Sequence, residues 1–344
     1  MVGGRLSEDR ELLAELIRRV SSDVNSLIAR TVTGEPRELY DAATHLIKVG
    51  GKRLRPVLLV ASGLASGADY EVLLPFAAAV ELVHTFTLVH DDVMDNDDLR
   101  RGVPTVHRLW GVPMAITAGD ALFAKAFEVA SSSALMSASV DPRRTLSALF
   151  ELARAARVVA EGQALDMYFE SSPSVSEHEY FEMVRKKTGA LIEASARMGA
   201  LLAGAPDEHV EALGRYALNV GVAFQVKDDL LGMYGTEEEI GKPVFSDLRE
   251  GKKTLLVIRA LARGSNELRD KLLGVLGKRD APRSAYEEVA ELLRAEGIAE
   301  EVEEEARRRA LEALEHLERL RDAPRPEYID ALRALALYVV ERSK

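Results

Sequence analysis

The stretch Leu88-Val89-His90-Asp91-Asp92-Val93-Met94-Asp95 closes an apolar pattern that begins at Leu73. Apolar residues recur there at intervals of three and four, the period of a helix with one face in a core. Asp91 and Asp95 are four apart, so they project from one face about one turn apart, with Asp92 beside them. Carboxylates that close repel one another. Placing them where an apolar helix enters the core makes chemical sense if hard cations bridge them, because Mg²⁺ takes oxygen ligands and cancels the repulsion. A charged helix end on the surface is the simpler alternative for this cluster taken alone. A calcium loop starting at Asp95 fits worse, since Arg100 stands where that loop needs glycine and Val106 where it needs an acid.

The same period runs through most of the chain, as in Leu12, Leu13, Leu16, Ile17 and Val20, and strand-like alternation is scarce. An all-α fold of roughly a dozen helices is expected. Ser7, Asp69 and Ser176 read as helix starts, the last with Glu179 in capping-box spacing. Gly50-Gly51, Pro104, Gly111-Val112-Pro113, Pro142, Pro173, Pro206 and Pro243 read as breaks. The run from Glu303 to Arg309, with each acid four residues before a base, reads as a solvated helix face.

With 344 residues, 47% hydrophobic and 29% charged, the chain can build a substantial core, and disorder is excluded as its main description. Length alone allows about two domains or one large helical unit. The net charge of -11 argues against nucleic acid or an anionic membrane as partner. The absence of cysteine excludes thiolate metal sites, disulfides and cysteine nucleophiles. Glu8, Asp9, Glu11 and Glu15 are incompatible with a secretory signal, and the charge-free stretches Pro56–Ala68 and Val129–Val140 are too short to span a bilayer. A cytoplasmic protein without a transmembrane segment is expected.

A second acidic cluster, Phe224-Gln225-Val226-Lys227-Asp228-Asp229, ends another helical pattern and is followed by Lys242, Asp247 and Lys252 on glycine-rich loops. Two such clusters on separate helices can face one another across a bundle cavity. Cations stand close by. Arg100 and Arg101 follow the first cluster, and Gly50-Gly51-Lys52-Arg53-Leu54-Arg55-Pro56 sets three cations between glycines and a helix start, a pattern suited to an oligophosphate. It is not a Walker loop, because Leu46 and Arg53 stand where glycine and Ser/Thr would be. Lys187-Thr188-Gly189, Glu161-Gly162-Gln163 and Asp166 add polar groups on further amphipathic helices, and His84 lies two turns before Asp91. Val80, Val83, Phe86 and Thr87 suggest an apolar lining beneath the aspartates, so a polyanion head with a hydrocarbon tail fits the gradient.

Taken together, Gly50–Pro56, Glu81–His107, Gly119-Asp120, Glu161–Asp166, Lys187–Gly189 and Phe224–Thr254 resemble the trans-isoprenyl diphosphate synthases, most closely the archaeal-type geranylgeranyl diphosphate synthases. The resemblance implies one all-helical domain over residues 1–344, a large bundle with a central cavity, and a homodimer. It implies condensation of isopentenyl diphosphate with an allylic diphosphate, using Mg²⁺. It places Asp91, Asp92 and Asp95, with Asp228 and Asp229, around the metals. Lys52, Arg55, His84 and Arg101 match isopentenyl diphosphate ligands. Arg100, Lys187, Thr188, Gln225, Lys242 and Lys252 match contacts to the allylic diphosphate, and Gln163 and Asp166 match supporting polar groups.

The second motif departs from the family pattern. Gly232 stands where a third aspartate is usual, and Asp247 is a candidate to supply that charge. No protein base is assigned, because the family's released diphosphate takes the proton. In the family an aromatic at the position of Thr87 accompanies fifteen-carbon products and an aromatic only at that of Phe86 twenty-carbon ones, which implies geranylgeranyl diphosphate here, with a twenty-five-carbon product as the alternative. Terpene cyclases share the first motif but lack the Gly-Gly-Lys cradle, and a non-catalytic subunit would have eroded acidic motifs.

Overall fold

The computed structural model describes residues 2–136, 141–241 and 243–341. Its helices are α1 (Val2–Thr31), α2 (Arg37–Val49), α3 (Leu54–Ala65), α4 (Tyr70–Asp95), α5 (Val106–Trp110), α6 (Val112–Met136), α7 (Pro142–Ser171), α8 (Glu177–Val184), α9 (Ala190–Ala203), α10 (Asp207–Tyr234), α11 (Glu237–Ile240), α12 (Ser246–Glu250), α13 (Leu255–Arg263), α14 (Asn266–Val275), α15 (Arg283–Ala295), α16 (Ile298–Leu317) and α17 (Glu327–Glu341). A two-stranded antiparallel hairpin, β1 (Leu99–Arg100) and β2 (Val103–Pro104), is the sheet structure among the described residues. The all-α expectation holds. Helices exceed the expected dozen because loops read as breaks contain short helical turns, such as α5 and α12.

Local signals account for most of these ends. At α8, Ser176 accepts from the Glu179 N–H while the Glu179 carboxylate accepts from the Ser176 N–H, the expected capping box. Asp69 occupies the N-cap position of α4, and Asn96 closes the helix in the left-handed region (φ 55°), which asparagine tolerates better than most residues. Ser7 is a correction, since α1 has already begun at Val2. The run from Glu303 to Arg309 is another, because Glu305 is buried beneath Arg308 and Arg309.

The buried apolar residues form two clusters. One joins α1, α2, α3, α4, α6, α7, α9, α10 and α17. The other joins α8 and the end of α10 to α12–α16. Val80 and Val83, expected to line the cavity, sit fully buried in the first cluster instead. α4 has the length and apolarity that could cross a membrane, and 61% of its most apolar window is buried inside the protein. Charge-free runs alone miss this helix, because Glu81 and His84 interrupt its sequence. Between the two clusters lies a cavity of about 780 Å³.

Candidate active site

Residues from the Gly50–Arg55 turn, α4, the β-hairpin, α7, a π-helical turn (Arg185–Gly189), the end of α10 and the 247–254 region line this one cavity. Gly162 on α7 makes the arrangement possible, because a Cβ there would lie 2.2 Å from the Lys187 backbone nitrogen. Only glycine lets α7 approach the π-helical turn so closely. That approach sets Lys187 and Thr188 against Gln163 and Asp166.

Asp91, Asp95 and Asp166 line the cavity and are bridged by two ammonium groups. Lys187 Nζ donates to Asp91 Oδ1 (3.2 Å) and Asp166 Oδ2 (2.7 Å). Lys252 Nζ donates to Asp95 Oδ1 (3.0 Å), Asp166 Oδ2 (3.0 Å) and Glu170 Oε1 (2.6 Å). Burial favours the neutral acid at Asp91, but Lys187, Arg100 and Lys252 outweigh it and hold its pKa below the usual range. At Asp95, burial and the Asp91 charge win over both lysines, and its pKa is raised. Both lysines are held above their usual pKa against burial, Lys187 chiefly by Asp91 and Lys252 chiefly by Asp166.

Asp92 faces elsewhere and is fully buried. Its Oδ1 accepts from Arg100 Nε at 2.7 Å and lies 2.6 Å from Nη2, which also reaches Asp97 at 3.2 Å and Asp91 at 3.7 Å. Asp92 therefore anchors the guanidinium of Arg100 over Asp91. Its second oxygen, Oδ2, is buried with no hydrogen-bond partner. That leaves it costly to ionise, and burial pushes its pKa up to about 6.

The second cluster meets the first across the cavity. Asp229 is buried, accepting from the Tyr180 hydroxyl (2.7 Å) and Gln225 Nε2 (2.9 Å), while Thr188 Oγ1 donates to Gln225 Oε1 (2.7 Å). Burial, and then the Asp247 charge, push the Asp229 pKa up to about 7. Asp228 and Asp247 line the same wall. At Gly232 a Cβ would come 2.9 Å from Asp247 Oδ2, so the Asp247 carboxylate already fills the space of a side chain at that position. Gln163 lines the cavity and its Nε2 donates to Met94 Sδ at 3.6 Å. Lys242 lies outside the described residues.

The other end of the cavity is cationic. Arg55 Nη1 donates to His84 Nε2 at 3.1 Å. A guanidinium can only donate, so His84 accepts there and carries its proton on Nδ1. Burial, then Arg55 and three further arginines, hold the His84 pKa well below its usual value, and burial lowers Arg55 to about 10. Arg55 Nε is buried and unpartnered. Lys52 lines this end, and Arg101, with left-handed backbone (φ 56°), turns its guanidinium onto the Leu46 and Gly50 carbonyls.

Phe86 and Thr87 line the cavity below the aspartates. The Phe86 ring contacts His90 (centroids 4.9 Å apart) and Phe123 on α6 (5.2 Å), and Phe123 contacts Phe127 (5.1 Å). Sequence reasoning missed Phe123, Tyr180 and Glu170. Glu170 could have been found, because it follows Asp166 by four on the same face of α7.

The all-oxygen donor set along this cavity, Asp91, Asp95, Asp166, Asp228 and Asp229, suits a hard divalent cation, and the bridging Lys187 and Lys252 mark where its acids already draw positive charge. The cationic end suits an anion. Residues 36–293 match the Polyprenyl synthetase family. The chain is 44% identical over 282 residues to the geranylgeranyl diphosphate synthase of Saccharolobus solfataricus, covering 82% of this chain and 84% of that one. It is 43% identical over 312 residues to the geranylfarnesyl diphosphate synthase of Aeropyrum pernix, covering 90% and 96%. The fold matches the crystal structure of a polyprenyl synthase from Caulobacter crescentus complexed with calcium and isoprenyl diphosphate, with a TM-score of 0.87 at 36% identity over 96% of this chain and 98% of that one. The chain belongs to the polyprenyl synthetase family and is a prenyltransferase, a trans-prenyl diphosphate synthase.

Proposed function

We propose that this chain joins isopentenyl diphosphate to an allylic diphosphate with Mg²⁺ and releases geranylgeranyl diphosphate, twenty carbons long. The observation that carries the reading is the opposite charge balance of the two ends of one cavity. At the cradle, Arg53, Arg55 and Arg101 gather around Glu81, with Lys52 on the same cavity wall and His84 neutral. Across from it, Asp91, Asp95, Asp166 and Glu170 share Lys187 and Lys252. A diphosphate is attracted to the first end as it stands, but repelled from the second until cations join it.

Asp91 and Asp95 on one side and Asp228 and Asp229 on the other would hold the Mg²⁺, with Asp92 and Asp247 contributing charge beside them. When bound, the metal neutralises carboxylates and diphosphate and stabilises the leaving group's charge. Lys187, Lys252, Arg100 and Lys242 hold the allylic diphosphate and receive its charge as the carbon–oxygen bond breaks, with Thr188 and Gln225 orienting it. Lys52, Arg55, Arg101 and His84 hold isopentenyl diphosphate so that its double bond faces the allylic carbon. Asp166 keeps the two lysines in register, and Gln163 is a supporting polar group on the same wall. The departing diphosphate takes the proton, so no side chain acts as base.

The tail runs past Thr87 toward Phe86, whose ring backs onto Phe123. We place the active form as a homodimer in the cytoplasm, without a membrane span or nucleic-acid partner. The exposed Val112, Ile116 and Phe123 on α6 and Leu146 and Phe150 on α7 support an interface there. Reversed-phase product analysis after incubation with labelled isopentenyl diphosphate tests the reading, with and without EDTA. A twenty-carbon product that requires Mg²⁺ is expected. Full turnover in excess chelator would contradict the metal role. A twenty-five-carbon product, the alternative favoured by the geranylfarnesyl relative, would correct the chain length alone.

A further inference from the structure

Arg53 sits between Lys52 and Arg55 and looks in sequence like a third ligand of the cradle. Its side chain does something else. The guanidinium is wholly buried (0% exposed) against Glu81 of α4 (2%), to which Nη1 donates. Nε and Nη2 donate to Asn25 Oδ1 of α1 at 3.1 and 2.8 Å, and Nη2 also donates to the Ile47 carbonyl of α2 at 2.9 Å. One side chain thus ties the turn to three helices. The backbone of Arg53 is left-handed (φ 48°, ψ 33°), a conformation disfavoured for a residue with a Cβ and kept where the surroundings impose it. From that residue α3 starts, Val57 N–H donating to the Arg53 carbonyl at 3.0 Å.

We infer that Arg53 is a positioning residue: its buried anchorage to Glu81, Asn25 and Ile47 holds the Gly50–Arg55 turn in the shape that puts Lys52 and Arg55 on the cavity wall. The inference rests on the reading of this turn as the isopentenyl diphosphate site. The αL residue reverses the chain between the two ligands, so loss of the anchor lets the turn relax and moves both cations from the diphosphate. Asp91, Lys187 and Lys252 lie on other elements and keep their places. The defect therefore falls on one substrate.

Steady-state kinetics on purified Arg53→Met, Arg53→Lys and the Arg53→Met/Glu81→Leu double variant test this, with both substrates varied and thermal melts alongside. The single change leaves Glu81 buried and unpaired, and it destabilises the protein. The double change removes both charges and replaces them with apolar groups of similar size, which restores the melting temperature. In the double variant KM for isopentenyl diphosphate should still be raised about tenfold or more, while KM for the allylic substrate and kcat change less than about threefold. Arg53→Lys, which keeps one contact to Glu81, should fall between wild type and the double variant. A folded double variant with wild-type KM for isopentenyl diphosphate, or equal rises in both KM values, would overturn the inference. Lys52→Ala is the control for the site itself: a wild-type KM there would remove the cradle as the isopentenyl diphosphate site, and the positioning role with it.

Discussion

Gly232 and Asp247 make the sharpest prediction. Gly232 stands three residues after Asp229, where the motif that the sequence resembles usually ends in a third aspartate, yet the space its side chain would take is already filled by Asp247 Oδ2, 2.9 Å from the Cβ position. Asp247 comes from α12, which is started by Phe245 in the left-handed region (φ 67°) and fastened by the Phe245 N–H donating to the Gly232 carbonyl at 3.0 Å. Gly232→Asp would thus crowd a further carboxylate against Asp247 and Asp229. Two like charges about 4 Å apart cost about 4 kcal/mol at an effective dielectric near 20. At about 1.4 kcal/mol per tenfold, that is an upper bound near a thousandfold, and bound cations screen part of it. We expect kcat/KM for the allylic substrate to fall about a hundredfold in Gly232→Asp. The swap Gly232→Asp/Asp247→Gly, which moves one carboxylate without adding any, should recover to within about tenfold of wild type. Initial rates at saturating isopentenyl diphosphate and graded Mg²⁺ measure both. A fully active Gly232→Asp together with a silent Asp247→Ala would refute the idea that Asp247 replaces the missing aspartate.

Asp91→Ala and Asp228→Ala should each lower turnover by orders of magnitude while circular dichroism melts show an intact fold; a normal rate in either removes that residue from the metal site. Lys52→Ala should raise KM mainly for isopentenyl diphosphate and Lys187→Ala mainly for the allylic substrate, and equal effects would show that the two sites have been mixed. Phe86→Ala should lengthen the product and Thr87→Phe shorten it, because Phe86 lies about 7.5 Å back along α4 from Asp91. Phe86 is only half-buried, so its loss should cost about 2 kcal/mol of stability, and unchanged products from both active variants would place the floor elsewhere. In the metal-free protein, the raised Asp229 pKa of about 7 means that folding favours the protonated acid. Stability from this group is present below pH 4 and declines as pH rises toward 7, an effect of roughly 4 kcal/mol that Asp229→Asn should abolish in denaturant titrations at pH 4 and 8. An identical pH slope in the variant would show that Asp229 is ionised throughout.

Helical periodicity made the fold legible because it is a local property, repeated along most of the chain. The spacing of Asp91 and Asp95 likewise placed both on one face of α4, and both line the cavity. Asp92, one residue on, points about 100° away and meets Arg100. Spacing contains that rotation but not the identity of the partner, because Arg100 arrives through a hairpin whose Arg101-Gly102 turn needs two positive φ angles. Lys187 and Lys252 were legible as cations near a polyanion. Their bridging of Asp166, Asp95 and Glu170 depends on the π-helical turn and on the close approach at Gly162, which only tertiary packing brings together.

The cradle shows where a motif stops being informative. Lys52, Arg53 and Arg55 are chemically alike in the sequence, and a phosphate site would accept any of them. What separates Arg53 is a carboxylate on a helix 28 residues away, Glu81, in a position that helical period assigns to the core. A buried carboxylate without a cation would be expensive, and a buried guanidinium without a carboxylate equally so. Each therefore explains the other. Lys52 lines the cavity. Arg55, half-buried with an unpartnered Nε and a neutral histidine at its Nη1, forms no ion pair of its own among the described residues and stays available to an anion. Which cation anchors and which one binds is decided by the partner that burial supplies, and that partner comes from a different helix.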